Sequence, residues 1–386
     1  MRVTRLAHVP GIGVDRVGDA ADALADPEIL RLENLDVDIR PPRVAVEATA
    51  AALEDDDANS YLPFQGHLAL REAACAWVGA RDGVAYDART QCVSVAGGLN
   101  GILNVLLATV EPGQEVVLTD PIYAGLVNRV RLVGGVPRFV PARATADGWH
   151  VDPDELAAAV GPGTAAVITM SPSMPTGGVM GTAHWTALAE GTGGHRPWII
   201  HDTAMDRLRF GGPVDGGPAA VEALRDRTIT VGSASKELRM IGWRVGWVVG
   251  PAEVMADVAL VGMANVVCQV GIAQQAVAAA LSAPDAEADV RAFTDVLEAR
   301  ARTILQELDG YPCVRPHGGW SLLIDTRPLG LTPAEASDRL MRLGKVAATP
   351  MDGWGPSGEH HLRLVFANEP IERLADLRAR FDAALG

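Results

Sequence analysis

The sequence predicts an α/β protein in which a large domain, built on a mostly parallel sheet of about seven strands, is joined to a smaller α+β domain. Short apolar segments alternate with helix-like segments through the middle of the chain, which is typical of a parallel sheet with helices on its faces. Most of the apolar segments are continuous, as expected for strands that are buried on both faces. At 386 residues the chain is long for one core, so we expect two domains.

Segments rich in β-branched and apolar residues define the strands of the predicted large sheet. In chain order they are residues 92–95, 115–120, 136–140, 165–170, 198–202, 228–231 and 243–249. Helical patterns such as residues 99–110 lie between them. The link before the last strand passes through Gly242 and is too short for a helical crossover. This strand is therefore predicted to run antiparallel to its predecessor.

The pattern changes after Pro284, where a long charged helix is predicted over residues 286–308 and is followed by short strands and helices. This mixture is typical of a small α+β domain. The expected parts of the chain are an N-terminal segment that packs on the small domain (residues 1–50), the large domain (51–285) and the small domain (286–386).

The composition excludes several classes of partner. With 48 acidic and 33 basic residues the formal charge is -15, which repels phosphate backbones and anionic lipids, so we expect neither nucleic-acid nor membrane binding. The 4 cysteines show no CxxC spacing, and no apolar leader or membrane-length segment is present, so a cytoplasmic protein is expected. The adjacent His360 and His361 would point to opposite faces of a strand, and no metal site is predicted.

Groups that can bind an anion follow the first and sixth predicted strands. Ligands of open α/β sheets bind outside the carboxyl ends of the strands, so these groups are expected to share one site. A glycine turn over residues 96–101 opens a helix whose free amides can hold a phosphate, although a plain tight turn has the same pattern. The sixth strand leads into Ser233, Ser235 and Lys236, and Arg244 follows eight residues later. The hydroxyls and the guanidinium favour the phosphate.

Lys236 is one of only two lysines in the chain, the other being Lys345. Codon bias explains the scarcity, but chemistry that needs an amine has only these two positions. Asp202 ends the fifth strand, where a buried carboxylate needs a cationic partner, and Tyr123 follows the second strand. A phosphate site with an amine and a carboxylate suggests pyridoxal 5'-phosphate, because its aldehyde needs a lysine and its pyridine nitrogen an acid.

Residues 233–236 (Ser-Ala-Ser-Lys), followed by residues 242–246 (Gly-Trp-Arg-Val-Gly), resemble the Schiff-base region of the class I and II aminotransferases of fold type I. The resemblance extends from about Leu35 to Phe366, with its motifs in the family's order. It implies fold type I and bound pyridoxal 5'-phosphate, with Lys236 as Schiff-base lysine and proton shuttle. The other implied contacts are Ser233, Ser235, Arg244 and the Gly98 and Leu99 amides at the phosphate, Asp202 at the pyridine nitrogen and Tyr123 stacked on the ring.

The same resemblance implies contacts beyond the cofactor. Tyr61 resembles the tyrosine that reaches the phosphate of the neighbouring subunit, so the resemblance implies a homodimer with shared active sites. Arg363 resembles the arginine that binds the substrate α-carboxylate with both arms of its guanidinium. Trp320 and Trp354 lie in glycine-rich loops, where they either line the substrate pocket or hold the loops; we expect Trp354 in the pocket.

Two positions depart from the family pattern. Met174 stands where the family has an asparagine, and Met205 stands where it has a tyrosine. Both usual side chains would donate hydrogen bonds to the cofactor's 3'-oxygen, and a thioether cannot. Another group or a water can compensate. The alternative hypothesis is that the Schiff base keeps its proton to higher pH than in the family, which a spectrophotometric titration would show.

We therefore expect a pyridoxal-phosphate-dependent aminotransferase that moves an amino group between an L-amino acid and a 2-oxo acid by a ping-pong mechanism. The altered surroundings of the 3'-oxygen keep open an elimination, a replacement or an oxygen-using oxidation of an amino acid on the same fold. A cofactor-binding regulatory module would need a DNA-binding segment, which the acidic chain lacks. The sequence does not identify the side chain of the substrate; the methionines and tryptophans near the site only suggest an apolar one.

Overall fold

The computed structural model of the chain describes residues 3–9, 11–212 and 215–386. The strands, in chain order, are β1 (Leu30–Arg31), β2 (Cys92–Val95), β3 (Glu115–Asp120), β4 (Val136–Thr145), β5 (Gly148–Val151), β6 (Thr164–Met170), β7 (Trp198–Asp202), β8 (Thr228–Ser233), β9 (Gly246–Val249), β10 (Ser321–Asp325), β11 (Val346–Ala347), β12 (Thr349–Pro350) and β13 (His361–Val365).

The α-helices, in chain order, are α1 (Thr4–Ala7), α2 (Val14–Leu24), α3 (Arg43–Ala52), α4 (Leu68–Asp82), α5 (Gly98–Thr109), α6 (Ala124–Leu132), α7 (Pro153–Ala158), α8 (Thr182–Glu190), α9 (Glu222–Arg225), α10 (Ala252–Asn265), α11 (Gly271–Leu281), α12 (Ala286–Glu307), α13 (Pro333–Arg339), α14 (Ile371–Leu374) and α15 (Leu377–Leu385). In the described part of the chain, no helix has both the length and the apolar character that crossing a membrane requires.

The large sheet has the strand order β2-β9-β8-β7-β6-β3-β4-β5. The neighbouring pairs from β8 through β7, β6 and β3 to β4 are parallel. β9 runs antiparallel to both β2 and β8. The predicted α/β class with a mostly parallel sheet is confirmed, and so is the reversed direction of the last strand.

The sheet contains one strand more than predicted. β4 continues to Thr145, beyond its predicted end at residue 140, and its outer half pairs antiparallel with β5. The predicted number of seven strands is therefore corrected to eight. The hairpin lies at the edge of the sheet and exposes polar side chains such as Arg143 and His150, so it lacks the continuous apolar pattern by which the other strands were found.

Both faces of the large sheet are covered by helices. Successive residues of a strand point to opposite faces, and in β3 Val116 and Leu118 join the apolar cluster under α5, α6 and α10. Val117, between them, joins a second cluster that includes residues of α7 and α8. This two-sided burial is why the strands of the sheet read as continuous apolar segments.

The C-terminal part contains the three-stranded antiparallel sheet β10-β13-β12. The long helix α12 packs through a stripe of buried residues with helical spacing, namely Val290, Phe293, Leu297, Ala301 and Ile304. This stripe and the strands belong to one extended apolar cluster.

The N-terminal segment contacts both parts of the protein. β1 pairs in parallel with β11, and Asp38 forms an ion pair with Arg300 of α12 at 2.8 Å. Further along, α3 packs on α11, where the indole of Trp243 donates to Thr49 Oγ1 at 2.7 Å. Residues 30–38 thus contact β11 and α12, and α3 contacts α11. The domain bounds at residues 50 and 285 stay predictions.

Candidate functional site

A cavity of about 210 Å³ lies beyond the carboxyl ends of the strands of the large sheet. It is bounded by residues that end or follow β2, β3, β6, β7 and β8, the edge at which open α/β sheets bind ligands. The lining residues are Leu35, Gly98, Leu99, Tyr123, Met170, Met174, Asp202, Ala204, Ser233, Ser235, Lys236, Ile241 and Arg244. All predicted cofactor contacts except Met205 and Tyr61 are among them.

One end of the cavity is a cationic cradle at the start of α5. Gly97 precedes the helix with φ +84°, and a Cβ at this position would lie 2.6 Å from Nη2 of Arg244. Arg244 Nη1 donates to Ser235 Oγ at 3.3 Å, and Ser233 Oγ donates to Ser235 Oγ at 3.0 Å. The first amides of a helix have no intrahelical partner. The amides at Gly98, two hydroxyls and a guanidinium therefore fit a phosphate group.

Lys236 lines the same cavity, and its amine lies 3.7 Å from the centroid of the Trp320 ring. Burial, together with the charges of Arg363 and Arg244, lowers the pKa of Lys236 to about 7, although the charge of Asp202 acts to raise it. Near neutral pH a substantial fraction of this amine is thus unprotonated. It can act as a nucleophile and as a proton acceptor.

Asp202 faces the same cavity from the end of β7. Burial raises the pKa of Asp202 to about 6, while the amide of Ala204, which donates to Oδ1 at 3.0 Å, and the charges of Lys236 and Arg129 act to lower it. Asp202 is buried. A buried carboxylate of this kind fits a ligand that presents a positively charged N–H.

Arg363, on β13, is fully buried beside this site. Its Nη2 donates to the carbonyl of Glu33 at 2.6 Å and to Thr349 Oγ1 at 3.3 Å. Nε and Nη1 have no hydrogen-bond partner within the described ranges. The guanidinium carbon lies 4.9 Å from the centroid of the Trp354 ring, whose own centroid is 5.2 Å from that of Tyr123. Two buried donors thus remain for a carboxylate.

Four residues that the sequence assigned to the site do not line the cavity, namely Arg363, Trp354, Met205 and Tyr61. Trp354 is buried, its indole N–H donates to the carbonyl of Ile12 at 3.1 Å, and its ring packs against the Arg363 guanidinium. Met205 is buried next to Gly319. Tyr61 is 84% exposed, as a residue that acts on a neighbouring subunit would be. Of the two methionines, only Met174 faces the cavity, and the titration hypothesis stays a prediction.

Sequence reasoning missed Arg129 of α6. Its Nε donates to the carbonyl of Leu99 at 2.7 Å and its Nη1 to the carbonyl of Gly125 at 2.8 Å, which ties α6 to the start of α5. Its charge also acts on Tyr123 and Asp202. Arg129 lies six residues beyond Tyr123, outside the strand-end segments in which site residues were sought. Leu35 was missed because nothing in its local sequence distinguishes it.

The fold and the site together define an α/β enzyme with an amine, a carboxylate and a phosphate-binding cradle at the edge of its sheet. Residues 30–381 match the family model described as aminotransferase class I and II. The chain belongs to this family, and it is an aminotransferase, whose substrates are an amino acid and a 2-oxo acid.

Named relatives and solved structures agree with this assignment. The chain is 33% identical to the arginine–pyruvate transaminase AruH of Pseudomonas aeruginosa over 349 residues, which cover 89% of this chain and 87% of that protein. It is similar to the structure of N-succinyldiaminopimelate aminotransferase from Mycobacterium tuberculosis, with a TM-score of 0.92, 29% identity and 100% of both chains covered. The aspartate aminotransferase of Thermus thermophilus with maleate gives a TM-score of 0.90 and 27% identity, again over 100% of both chains.

Proposed function

We propose that the chain binds pyridoxal 5'-phosphate in the cavity and uses it to transfer the amino group of an L-amino acid. The observation that carries the proposal is the meeting of Lys236, Asp202 and the cradle around Arg244 in one cavity. The cradle also has the space that a phosphate needs, because Gly97 has no Cβ and a Cβ at this position would press against Arg244. Ser233, Ser235, Arg244 and the first amides of α5 would hold the phosphate, and Asp202 would hold the pyridine N–H.

When bound, the cofactor supplies an electron sink for the carbanion that forms at the substrate α-carbon. The protein's own groups do the rest. Arg363 would bind the α-carboxylate with its buried guanidinium, on which Nε and Nη1 have no partner among the described residues. The neutral Lys236 amine accepts the α-proton of the amino donor. The resulting ammonium group gives a proton back when the reaction runs in the opposite direction with the 2-oxo acid. Its pKa of about 7 makes both steps accessible near neutral pH.

A half-reaction experiment tests this function against the alternatives. An amino donor alone should convert the bound cofactor to its amine form, seen as a change of absorbance, and a 2-oxo acid should restore the original spectrum. Release of ammonia or of hydrogen peroxide with the amino donor would instead indicate elimination or oxidation. Elimination and oxidation are measured as well because Met174 lines the cavity and its thioether offers no hydrogen-bond donor.

Substituting Gly97 with alanine is expected to raise the Kd for pyridoxal 5'-phosphate by about tenfold or more. The new Cβ would press on the Arg244 guanidinium at 2.6 Å and would also strain a backbone with φ +84°. Cofactor affinity is measured by absorbance titration of the cofactor-free protein.

The matched control is Gly113→Ala. Gly113 has a similar φ of +89°, but nothing lies within 4 Å of the Cβ position. This variant should lose stability in thermal unfolding and keep its affinity for the cofactor. Equal affinities in both variants would show that the cradle does not bind the phosphate.

We further propose that the protein is a homodimer in which Tyr61 completes the neighbouring site. Tyr61 and Phe64, 84% and 50% exposed, lie in the loop before α4. The C-terminal half of α10 and the following turn expose a second set of apolar side chains, which comprises Leu260, Met263, Val266, Val267 and Val270. Gly271, which follows Val270, packs against the carbonyl of Ala58, three residues before Tyr61, so the two sets adjoin at this point. Such a patch is typical of a permanent interface.

Mixing two inactive variants tests the shared site. Lys236→Ala removes the amine from one subunit and leaves its Tyr61 intact, and Tyr61→Ala in the other subunit removes the tyrosine and leaves Lys236 intact. In a heterodimer of the two, one site has both residues, so refolding an equal mixture should restore about a quarter of the wild-type activity. Gel filtration and single-variant samples serve as controls. No recovery in a mixture that contains heterodimers would place Tyr61 outside the partner's site.

We expect uncharged amino donors to be preferred over acidic ones. Beyond the polar groups assigned to the cofactor, the cavity is lined by Leu35, Met170, Met174, Ala204 and Ile241. A panel of amino donors, followed at the cofactor's absorbance, measures the preference. We also propose a cytoplasmic location, which the four free cysteines favour.

A further inference from the structure

The indole of Trp320 forms the surface on which the Lys236 amine rests. Nζ of Lys236 lies 3.7 Å from the centroid of the ring, well within the distance at which an ammonium interacts with an aromatic face. Trp320 is fully buried, and its Nε1 has no hydrogen-bond partner in the described ranges. The ring is thus not oriented by a hydrogen bond of its own N–H.

The position of Trp320 is set by its neighbours on both sides in the chain. The amide of Gly319 donates to the carbonyl of Leu208 at 2.7 Å, and the hydroxyl of Ser321 donates to the carbonyl of Pro175 at 2.9 Å. The carbonyl of Trp320 itself accepts from the amide of Phe366 at 2.9 Å. Trp320 is therefore held between the large domain and β13, with its ring against the lysine.

We propose that Trp320 is a positioning residue, whose ring face holds the Lys236 amine whenever this amine is not bonded to the cofactor and favours its ammonium form. The inference rests on the proposed role of Lys236. In that role the amine must return to one place after each proton transfer, and a flat, electron-rich surface gives it such a place without a competing hydrogen bond.

The ring acts together with four charged groups around the amine. Arg363 on β13 and Arg244 before β9 disfavour the ammonium form, whereas Asp202 on β7 and Asp36 in the N-terminal segment favour it. Burial also disfavours it, so the pKa of Lys236 lies near 7. Removing the ring removes an interaction that favours the ammonium form, so the pKa of Lys236 is expected to fall.

Competitive labelling of amines at a series of pH values measures this shift. The full-length protein, freed of cofactor, is treated with trace acetic anhydride, and labelled peptides are quantified by mass spectrometry. The chain has only two lysines, so Lys345, half-exposed and paired with Asp26 at 2.9 Å, is an internal control. Trp320→Leu should lower the labelling midpoint of Lys236 by about one pH unit or more, and Trp320→Phe by less.

An isosteric change separates the ring's electrons from its shape. A polyfluorinated tryptophan at position 320 keeps the packing but removes the negative charge of the ring face, and it should lower the Lys236 midpoint as Trp320→Leu does. This variant also serves if Trp320→Leu does not fold. An unchanged or raised midpoint in the fluorinated protein, or an equal shift at Lys345, would overturn the proposal. Because no cofactor is present, the result is independent of whether the enzyme transaminates.

Discussion

Replacing Lys236 with alanine is expected to abolish the visible absorbance band of the bound cofactor and to lower transamination by about 1000-fold or more. Lys236 is the only lysine that lines the cavity. No other side chain of the described residues combines an amine with a pKa near 7 at this place. The phosphate cradle is untouched, so the variant should still bind the cofactor, with a shifted spectrum.

Two substitutions make this prediction specific. Lys236→Arg keeps the positive charge but offers no neutral amine, because a guanidinium stays protonated, and it should be as inactive as the alanine variant. Lys345→Ala removes a half-exposed side chain from its ion pair with Asp26, which is worth at most about 1 kcal/mol, and it should leave band and activity unchanged. An active Lys236→Arg variant or an inactive Lys345→Ala variant would refute the assignment.

The strands of the sheet interior could be read from the sequence because burial on two faces leaves a plain pattern. The predicted segments 165–170 and 198–202 agree with β6 and β7 to within one residue. The edge hairpin β4–β5 obeys a different rule, since one strand face is exposed and Trp149 is one of few buried side chains there. Most residues of this hairpin are polar or exposed, so the continuous apolar pattern that identified the other strands is absent from it.

The site was predictable for the same topological reason. Parallel strands place their carboxyl ends at one edge, so Asp202, Ser233 and Lys236 could be brought together from sequence alone. Arg129 and Trp320 act through packing between elements that are distant in the chain, and no local pattern marks such contacts. For Trp320 the sequence left two roles open, pocket or loop support, and the 3.7 Å contact with Lys236 shows which group it touches.

Substitution of Arg363 is expected to separate two effects of one side chain. Arg363→Lys keeps the charge and loses the fork that can bind a carboxylate with two parallel hydrogen bonds, so kcat/KM for the amino donor should fall about 100-fold or more. Arg363→Gln loses both charge and fork. It should show at least as large a fall, with the cofactor's own binding little changed, because Arg363 lies outside the phosphate cradle.

Of the two Arg363 variants, only Arg363→Gln should also change the labelling midpoint of Lys236. Arg363 is, after burial, the largest cause of the lowered pKa of that amine, so removing the charge should raise the labelling midpoint, and Arg363→Lys should leave it in place. Arg342→Gln, on an exposed ion pair with Asp338, is the control for loss of an arginine elsewhere. The carbonyl of Glu33 loses its 2.6 Å donor in these variants, so thermal unfolding must accompany the kinetics. Loss of activity in a folded Arg363→Lys protein whose KM for the amino donor is unchanged would mean that Arg363 does not bind the carboxylate.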